Sequence, residues 1–378
     1  MAEIYSSLAF NLEKEILAAS LPLFESEEVE AIEWSFDTLY NHSVIPEWFT
    51  SLLKTYSHGN RLIGHGVFFS LFSGRWSAQQ QDWLNHLKNL SQQFRFDHIT
   101  EHFGFMTGED FHKGAPISIP FTESTLAIGR DRLQRIQQAC ACPVGLENLA
   151  FSYSIDEVKK HGHYLYELIQ PINGFIILDL HNLFCQLHNF SISYDELIAL
   201  YPLDCVREIH ISGGSWDTIQ SHDSKKIRRD THDDEVPETV FDLLQKTIPK
   251  CTNLKFVVLE QLGTGLETEE SKVHFRDDFR RMTSIVQEFK QAIKPFDQNS
   301  FLPGHLISDL STPLEDEGLF EQQQQLSAIL ENAVDYKDAY SQLKNSNLAN
   351  SAWEVENWPP AMLETAVSIA KKWKNGFA

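Results

Sequence analysis

Eight short apolar runs, each followed by an amphipathic stretch, recur from the N-terminus to about residue 292. Alternation between strand-like runs and helical periodicity predicts βα units feeding a parallel sheet, because parallel neighbours need a crossover long enough to hold a helix. Strands are expected at Tyr5–Phe10, Ala31–Ser35, Arg61–His65, Phe96–Glu101, Val144–Asn148, Gly174–Asp179, Val206–Ile211 and Leu254–Glu260. Between them, helices are expected at Gln79–Gln93, Glu123–Ala139, Ile155–Ile169, Tyr194–Tyr201, Pro237–Thr247 and Glu270–Ile293. Eight is the strand number that closes a barrel, and the glycine loop of an open nucleotide-binding sheet is missing: Gly263 and Gly265 lack the third glycine and its context. The expected fold class is therefore α/β, a TIM (β/α)8 barrel over residues 1–292.

Beyond residue 293 the periodicity breaks at Lys294-Pro295, Phe301-Leu302-Pro303-Gly304 and Ser311-Thr312-Pro313. Two helical stretches follow, Leu319–Leu343 and Pro360–Trp373, joined by an Asn/Ser-rich segment and by Trp358-Pro359-Pro360. Residues 293–378 are read as a linker plus a small C-terminal helical extension, packed on the barrel or engaged in partner or peptide recognition.

Six of the expected strands end on a side chain able to bind a metal: His65, His102, Glu147, Asp179, His210 and Glu260. A lone histidine there is ordinarily a satisfied polar residue, but a closed barrel would bring all six to one rim. Charged groups that close buried strands cost several kcal/mol unless paired or metal-bound, so the set calls for a shared counter-charge. Glu147 and Asp179 suit bridging, since each carboxylate offers two oxygens. In the loop after the seventh strand, Asp230 and His232 stand two residues apart, a spacing that points both the same way if the segment is extended. A solvated turn is the other reading, because Asp233, Asp234 and Glu235 follow at once. Asn182 and His188 could serve as a ligand and a cavity-lining base, or as ordinary structural residues. Histidine and carboxylate donors without thiolate suit zinc, manganese or non-haem iron. The five cysteines, Cys140, Cys142, Cys185, Cys205 and Cys251, read as buried thiols rather than ligands.

The charge balance is acidic, 31 Lys+Arg against 53 Asp+Glu, and the basic run Lys225-Lys226-Ile227-Arg228-Arg229 is short. Nucleic acid is therefore not an expected partner, since backbone binding needs a positive patch. No apolar run is long enough to cross a bilayer, and Met1-Ala2-Glu3-Ile4-Tyr5 carries no basic signal region. An odd number of cysteines in so long a chain argues for a reducing cytoplasm.

Read together, Gly64-His65-Gly66, Thr100-Glu101-His102, Glu147-Asn148, Leu178-Asp179-Leu180-His181-Asn182, His188-Asn189, Glu208-Ile209-His210, Asp230-Thr231-His232 with Val236-Pro237, and Glu260 follow a familiar order. Over residues 5–292 the chain resembles the multinuclear non-haem iron-dependent oxidative enzymes, the DUF692 family that includes the methanobactin-forming oxidase. The resemblance implies a TIM barrel holding two or three iron ions. It also implies use of dioxygen to modify a cysteine-containing ribosomal peptide or related thiol, with a delivery partner protein. By that resemblance His65, His102 and Glu147 would hold one iron, with Glu147 bridging to a second bound by Asp179, His210 and Glu260. Asn182, Asp230 and His232 would hold a third, and His188 would lie near an open coordination position. Asp179, His210 and His188 are the residues assigned to the chemistry itself.

The chain departs from the family pattern at three places. His181-Asn182 replaces Asn-Asn, Ser212-Gly213-Gly214 replaces Ala-Gly-His, and Gln261-Leu262 follows the last glutamate where an aspartate is usual two residues on. A different class remains open, a zinc or manganese hydrolase or isomerase of the endonuclease IV or xylose isomerase type, although the acidic balance disfavours a DNA enzyme. A non-catalytic binding module is the third class, and the retention of nearly every rim ligand weighs against it.

Overall fold

The computed structural model describes residues 4–39, 45–108, 113–221, 225–290, 300–304, 310 and 312–375. Strands β1 (Tyr5–Ala9), β2 (Ala31–Trp34), β3 (Leu62–Gly66), β4 (Ile99–Glu101), β5 (Val144–Glu147), β6 (Phe175–Asp179), β7 (Val206–Ile211) and β8 (Phe256–Leu259) close into a barrel in chain order. Every pair is parallel, and β8 returns to β1 through Tyr5 opposite Phe256. The eight expected strands are thus present, with ends moved by a few residues. The largest change is at β4, where Phe96–His98 fall outside the strand although Asp97 N–H and His98 C=O still bond to β3.

The outer helices are α1 (Lys14–Glu25), α2 (Glu47–His58), α3 (Ala78–Gln93), α4 (Glu123–Cys140), α5 (Ile155–Ile169), α6 (Leu180–Phe190), α7 (Tyr194–Ile198), α8 (Glu238–Thr247) and α9 (Glu269–Lys290). Ser77 and Thr122 open α3 and α4 with reciprocal capping boxes, which satisfy N–H groups the first turn would leave bare. Helix α6 follows Asp179 without an intervening loop. The expected end of α9 at Ile293 and the expected boundary at residue 293 lie outside the described residues.

Side chains alternate across each strand, so one phase faces the helices and the other fills the barrel. Ala9, Ala31, Ile63, Phe256 and Val258 form the interior apolar cluster with Tyr5 against it. Phe301 joins Phe175 and Ile177 in a second cluster. Continuing the inward phase up the strands leads to Glu33, His65, Thr100, Glu147, Asp179, Glu208 and His210, all buried. A register shift between β6 and β7 sets Ile177 opposite Glu208 and Asp179 opposite His210, so the bulge aligns these two candidate ligands at one level.

Helices α10 (Glu317–Asn332), α11 (Tyr336–Lys344) and α12 (Pro360–Trp373) form the C-terminal extension. Buried side chains of this extension, among them Leu326, Leu330 and Leu363 of the helices and Trp358 just before α12, belong to the same continuous apolar cluster as the barrel helices. Contacts run to loops above the strand ends: Gln323 binds Phe72 O and Gly74 N, Trp353 packs on Phe105, Trp358 stacks on Tyr153 at 3.8 Å, and Glu364 accepts from Gln220 N and Ser221 N. The expected helix Leu319–Leu343 is broken in two, because Asp335 caps α11 and the chain turns at Ala333. Among the described residues, no helix is long and apolar enough to cross a membrane.

Candidate metal centre

Three histidines at the rim each commit one ring nitrogen to the protein and turn the other inward. Thr100 Oγ1 donates to Gly64 O and so accepts from His65 Nδ1 at 2.8 Å, which leaves His65 Nε2 as a lone-pair donor. His102 Nδ1 donates to Gly66 O at 3.0 Å, leaving Nε2 facing Glu147 Oε2 at 3.3 Å. His210 reverses the choice: Nε2 lies 3.1 Å from Glu33 Oε2 and 3.2 Å from Glu208 Oε1, while Nδ1 points to Glu260 Oε2 at 3.3 Å. Fixing one nitrogen so that the other presents a lone pair is how proteins orient metal-binding imidazoles.

The carboxylates are held with the same economy. Asn148 grips the backbone of Asp179 in both directions, accepting from its N–H at 2.7 Å and donating to its carbonyl at 3.2 Å. Asp179 also caps α6, taking the Asn182 N–H on Oδ1 at 2.5 Å. Asn182 spends its amide nitrogen on Glu147 Oε1 and Asn148 O. His65 Nε2, Glu147 Oε2, Asp179 Oδ2 and Asn182 Oδ1 are left over, buried and without a hydrogen bond among the described residues. Buried polar atoms left without a partner in this way fit a cation as the missing one.

Donor atoms within 4.8 Å of one another form three overlapping groups: His65, His102 and Glu147; Glu147, Asp179 and His210; Asp179, His232 and Glu260. Glu147 and Asp179 are each shared between two groups, the arrangement of a chain of positions joined by bridging carboxylates. A further group, Glu33, Glu208 and His210, lies deeper in the barrel.

Burial dominates the electrostatics. It raises Glu147 well above the usual carboxylate range and, together with the nearby Asp230, lifts Asp179 to about 7. Burial lowers His65 well below an ordinary imidazole, reinforced by His102 and His210. At His210 burial alone would lower the value, but Glu33, Glu208 and Glu260 hold it well above the ordinary imidazole range. Without metal the rim therefore stores protons that a cation would displace.

Residues Asp230 and His232 reach the centre by a different route from the extended one expected. His232 has φ of 50°, the left-handed region, so the chain turns there. The turn puts His232 Nε2 2.7 Å from Asp230 Oδ1 and its Nδ1 3.5 Å from Glu260 Oε1. His188 lies elsewhere. It is nearly two turns along α6 from His181, with Nε2 on Lys226 O at 3.1 Å and its ring 4.6 Å from Trp216, and none of the donor groups found among the described residues includes it.

Sequence reasoning passed over His181, Glu33, Glu208 and His98. His181 Nδ1 donates to Asp230 Oδ1 at 3.1 Å, and its Nε2 accepts from Arg228 Nε at 2.9 Å. Gly214 makes room for that ring, since a Cβ there would stand 2.8 Å from His181 Cε1. The two departures from the family pattern at positions 181 and 214 thus meet in space. Glu33 and Glu208 could have been found by stepping back along the inward phase, since Glu208 precedes His210 by two residues and Glu33 interrupts an apolar strand. His98 stands two residues before Thr100 on the same phase, and its Nε2 lies 2.6 Å from Glu208 Oε2.

Residues 27–264 match the family described as RiPP precursor modification enzyme MbnB/TglH/ChrH. Curated relatives include a UPF0276 protein of Caulobacter vibrioides, 26% identical over 183 residues, which are 48% of this chain and 62% of that protein. Another, from Acaryochloris marina, is 26% identical over 189 residues, 49% of this chain and 64% of that protein. Each match spans less than two thirds of the relative's own length. Among solved structures, an L-ribulose 3-epimerase aligns with TM-score 0.49 and 11% identity over 77% of this chain and 96% of that one. The family match covers most of the barrel and includes all nine candidate donor positions from His65 to Glu260. The chain belongs to the MbnB/TglH/ChrH family of RiPP precursor modification enzymes.

Proposed function

We propose that this protein is a multinuclear non-haem iron-dependent oxidative enzyme that uses dioxygen to modify a cysteine-containing ribosomal peptide or a related thiol. The observation that carries the reading is the run of three donor groups joined through Glu147 and Asp179. Family membership supports a peptide as the substrate class. The donor chemistry, imidazole and carboxylate without thiolate, is compatible with iron.

His65, His102 and Glu147 would hold one ion, Glu147, Asp179 and His210 a second, and Asp179, His232 and Glu260 a third, with Asn182 Oδ1 and Asp230 beside them. Iron held there would supply the redox chemistry and the activation of dioxygen. The chain's own part is geometric and electrostatic. Thr100, Gly66, Glu33 and Glu208 keep the three imidazoles turned inward. The apolar interior under the rim excludes water from below. Ligand exposure is graded: the side chains of His65 and His210 are closed off, while His102 and Asp230 retain about a quarter of their exposure and mark where a substrate thiol enters (23% and 25%).

The C-terminal helices, which contact the loops after β3, β4, β5 and β7, are assigned to peptide recognition in this reading. A separate delivery protein is the partner to be sought by co-purification, and a reducing cytoplasm suits the five free cysteines. The reading is tested by anaerobic purification, iron counting and measurement of thiol-dependent oxygen uptake. Iron near two or three per chain and oxygen uptake that vanishes in Asp179→Ala and His210→Ala are expected. Unchanged iron and oxygen uptake in those variants would sink it, and tightly held zinc in place of iron would point to a hydrolase or isomerase.

A further inference from the structure

The basic run at residues 225–229 of this acidic chain lies beside the metal centre, and its members have different fates. Lys225 Nζ donates to Asn189 O. Arg229 pairs with Asp217 and reaches Ser368 on α12. Arg228 is only 4% exposed, yet among the described residues no carboxylate pairs with it. Its Nε donates to His181 Nε2, and among the described residues its two terminal amino groups make no hydrogen bond.

A buried guanidinium is costly to leave without an anion, because its desolvation is uncompensated. Here the protein compensates part of that cost with rings. The guanidinium carbon lies 5.1 Å from the Trp216 ring and 5.5 Å from the Phe184 ring. Trp216 is held edge-on to His188 and remains 43% exposed, so the frame opens to solvent on that side. Asn189 fixes the backbone on either side of the guanidinium, accepting from Arg228 N at 2.9 Å and donating to Arg228 O at 3.0 Å. The inner end of the frame is tied to the metal centre through His181 to Asp230.

We propose that Arg228, framed by Trp216 and Phe184, is a subsite for a carboxylate of the substrate, placing that carboxylate next to the reacting thiol at the metal centre. This rests on the thiol-substrate reading above and narrows it to substrates carrying a carboxylate near the modified group. A single planar guanidinium with two free amino groups matches the two oxygens of a monoanionic carboxylate. A phosphate dianion would ordinarily recruit further cations, and the surroundings offer Asp230, Asp233 and Asp234 instead. Two sources supply such a carboxylate, a peptide C-terminus or an Asp or Glu side chain, and their chemistry at Arg228 is the same.

The test uses full-length metal-loaded protein and thiol-free probes, so that it is independent of any oxidation. Binding is measured by ligand-observed NMR for N-acetyl-Gly-Ala with a free carboxylate, for its amide, for N-acetyl-Asp-Ala-amide, and for inorganic phosphate. At least one carboxylate probe is expected to bind about tenfold tighter than the amide, the difference of one charge-assisted contact. Preference for N-acetyl-Gly-Ala assigns a C-terminal carboxylate, and preference for the Asp probe assigns a side chain. Arg228→Gln should abolish the preference with metal content unchanged. Arg228→Lys, which keeps the charge and loses the fork, should retain only part of it and serves if the first variant does not fold. Equal binding of amide and carboxylates, a persistent preference in Arg228→Gln, or tighter binding of phosphate would overturn the assignment. Loss of thiol-dependent oxygen uptake with intact carboxylate preference would instead count against the oxidative reading alone.

Discussion

The rim of the barrel and the layer just beneath it both bury carboxylates, and they solve the problem in opposite ways. Beneath, each oxygen of Glu208 and Asp97 has a partner: Glu208 meets His210 and His98, and Asp97 meets His98, Arg207 at 2.8 Å and Lys255. Burial would raise both acids, but His98 and His210 hold Glu208, and His98, Arg207 and Lys255 hold Asp97, well below the usual carboxylate range. At the rim, Glu147 and Asp179 keep one oxygen each without a hydrogen bond and are raised. Glu33, beside Glu208, is the exception beneath: its Oε1 has no hydrogen bond among the described residues, and burial raises it to about 8. Where the chain itself supplies the cation, as at Glu208 and Asp97, the carboxylate is structural; where it does not, as at Glu147 and Asp179, the missing charge has to come from outside.

The largest effect expected from breaking this contrast is on iron stoichiometry. Glu147→Ala or Asp179→Ala removes a residue shared by two donor groups, whereas His65→Ala removes one used by a single group. Iron counted per chain by plasma mass spectrometry should therefore fall by about two ions in the first pair and about one in the second, on the assumption of one ion per donor group. Equal losses in all three would show that the carboxylates do not bridge.

In the layer beneath, Asp97→Ala leaves Arg207 and Lys255 without their shared carboxylate, and a loss of about 3–5 kcal/mol is expected in urea unfolding. At the rim the metal-free protein should respond in the other direction. Asp179 is raised to about 7, so above that pH the folded state carries a charge it disfavours. Asp179→Asn keeps the acceptor that caps α6 and removes the charge, and should stabilise metal-free protein at pH 8 by about 2 kcal/mol. Destabilisation of comparable size in both variants would erase the distinction between the layers.

Glu157 offers the intermediate case. It accepts from Tyr153 N at 2.8 Å, and burial lifts it from its ordinary 4.5 to about 7. Between those two values the folded state binds the proton that the unfolded chain has released, so stability falls as pH rises through that window. The fall should amount to about 1–3 kcal/mol and should be flattened in Glu157→Gln. Thermal melts at closely spaced pH values measure both.

Much of the barrel was legible because strand and helix periodicities differ, and because the inward phase of each strand is a local property of the chain. His65, Glu147, Asp179 and His210 stand at strand ends that local pattern alone locates. Helix α6 was less legible, since its N-cap, Asp179, is also the last residue of a strand. His188 was hard to place for the same reason: without the helix its position along the axis could not be counted. The contribution of His181 depends on Gly214 and Arg228, more than thirty residues away in each case, and no local pattern announces such a meeting.

The sequence by itself determined the alternation of strands and helices, the closure expected of eight parallel units, and the kinds of donor available at the rim, because these depend on periodicity and side-chain chemistry. Only the tertiary structure decided which donors share a point, which imidazole nitrogen faces it, and which buried charges are already paired. Those are matters of register, rotamer and the left-handed turn at His232, all set by contacts between residues far apart in the chain. The same reason left Arg228 an ordinary member of a basic run until the fold enclosed it without an acid.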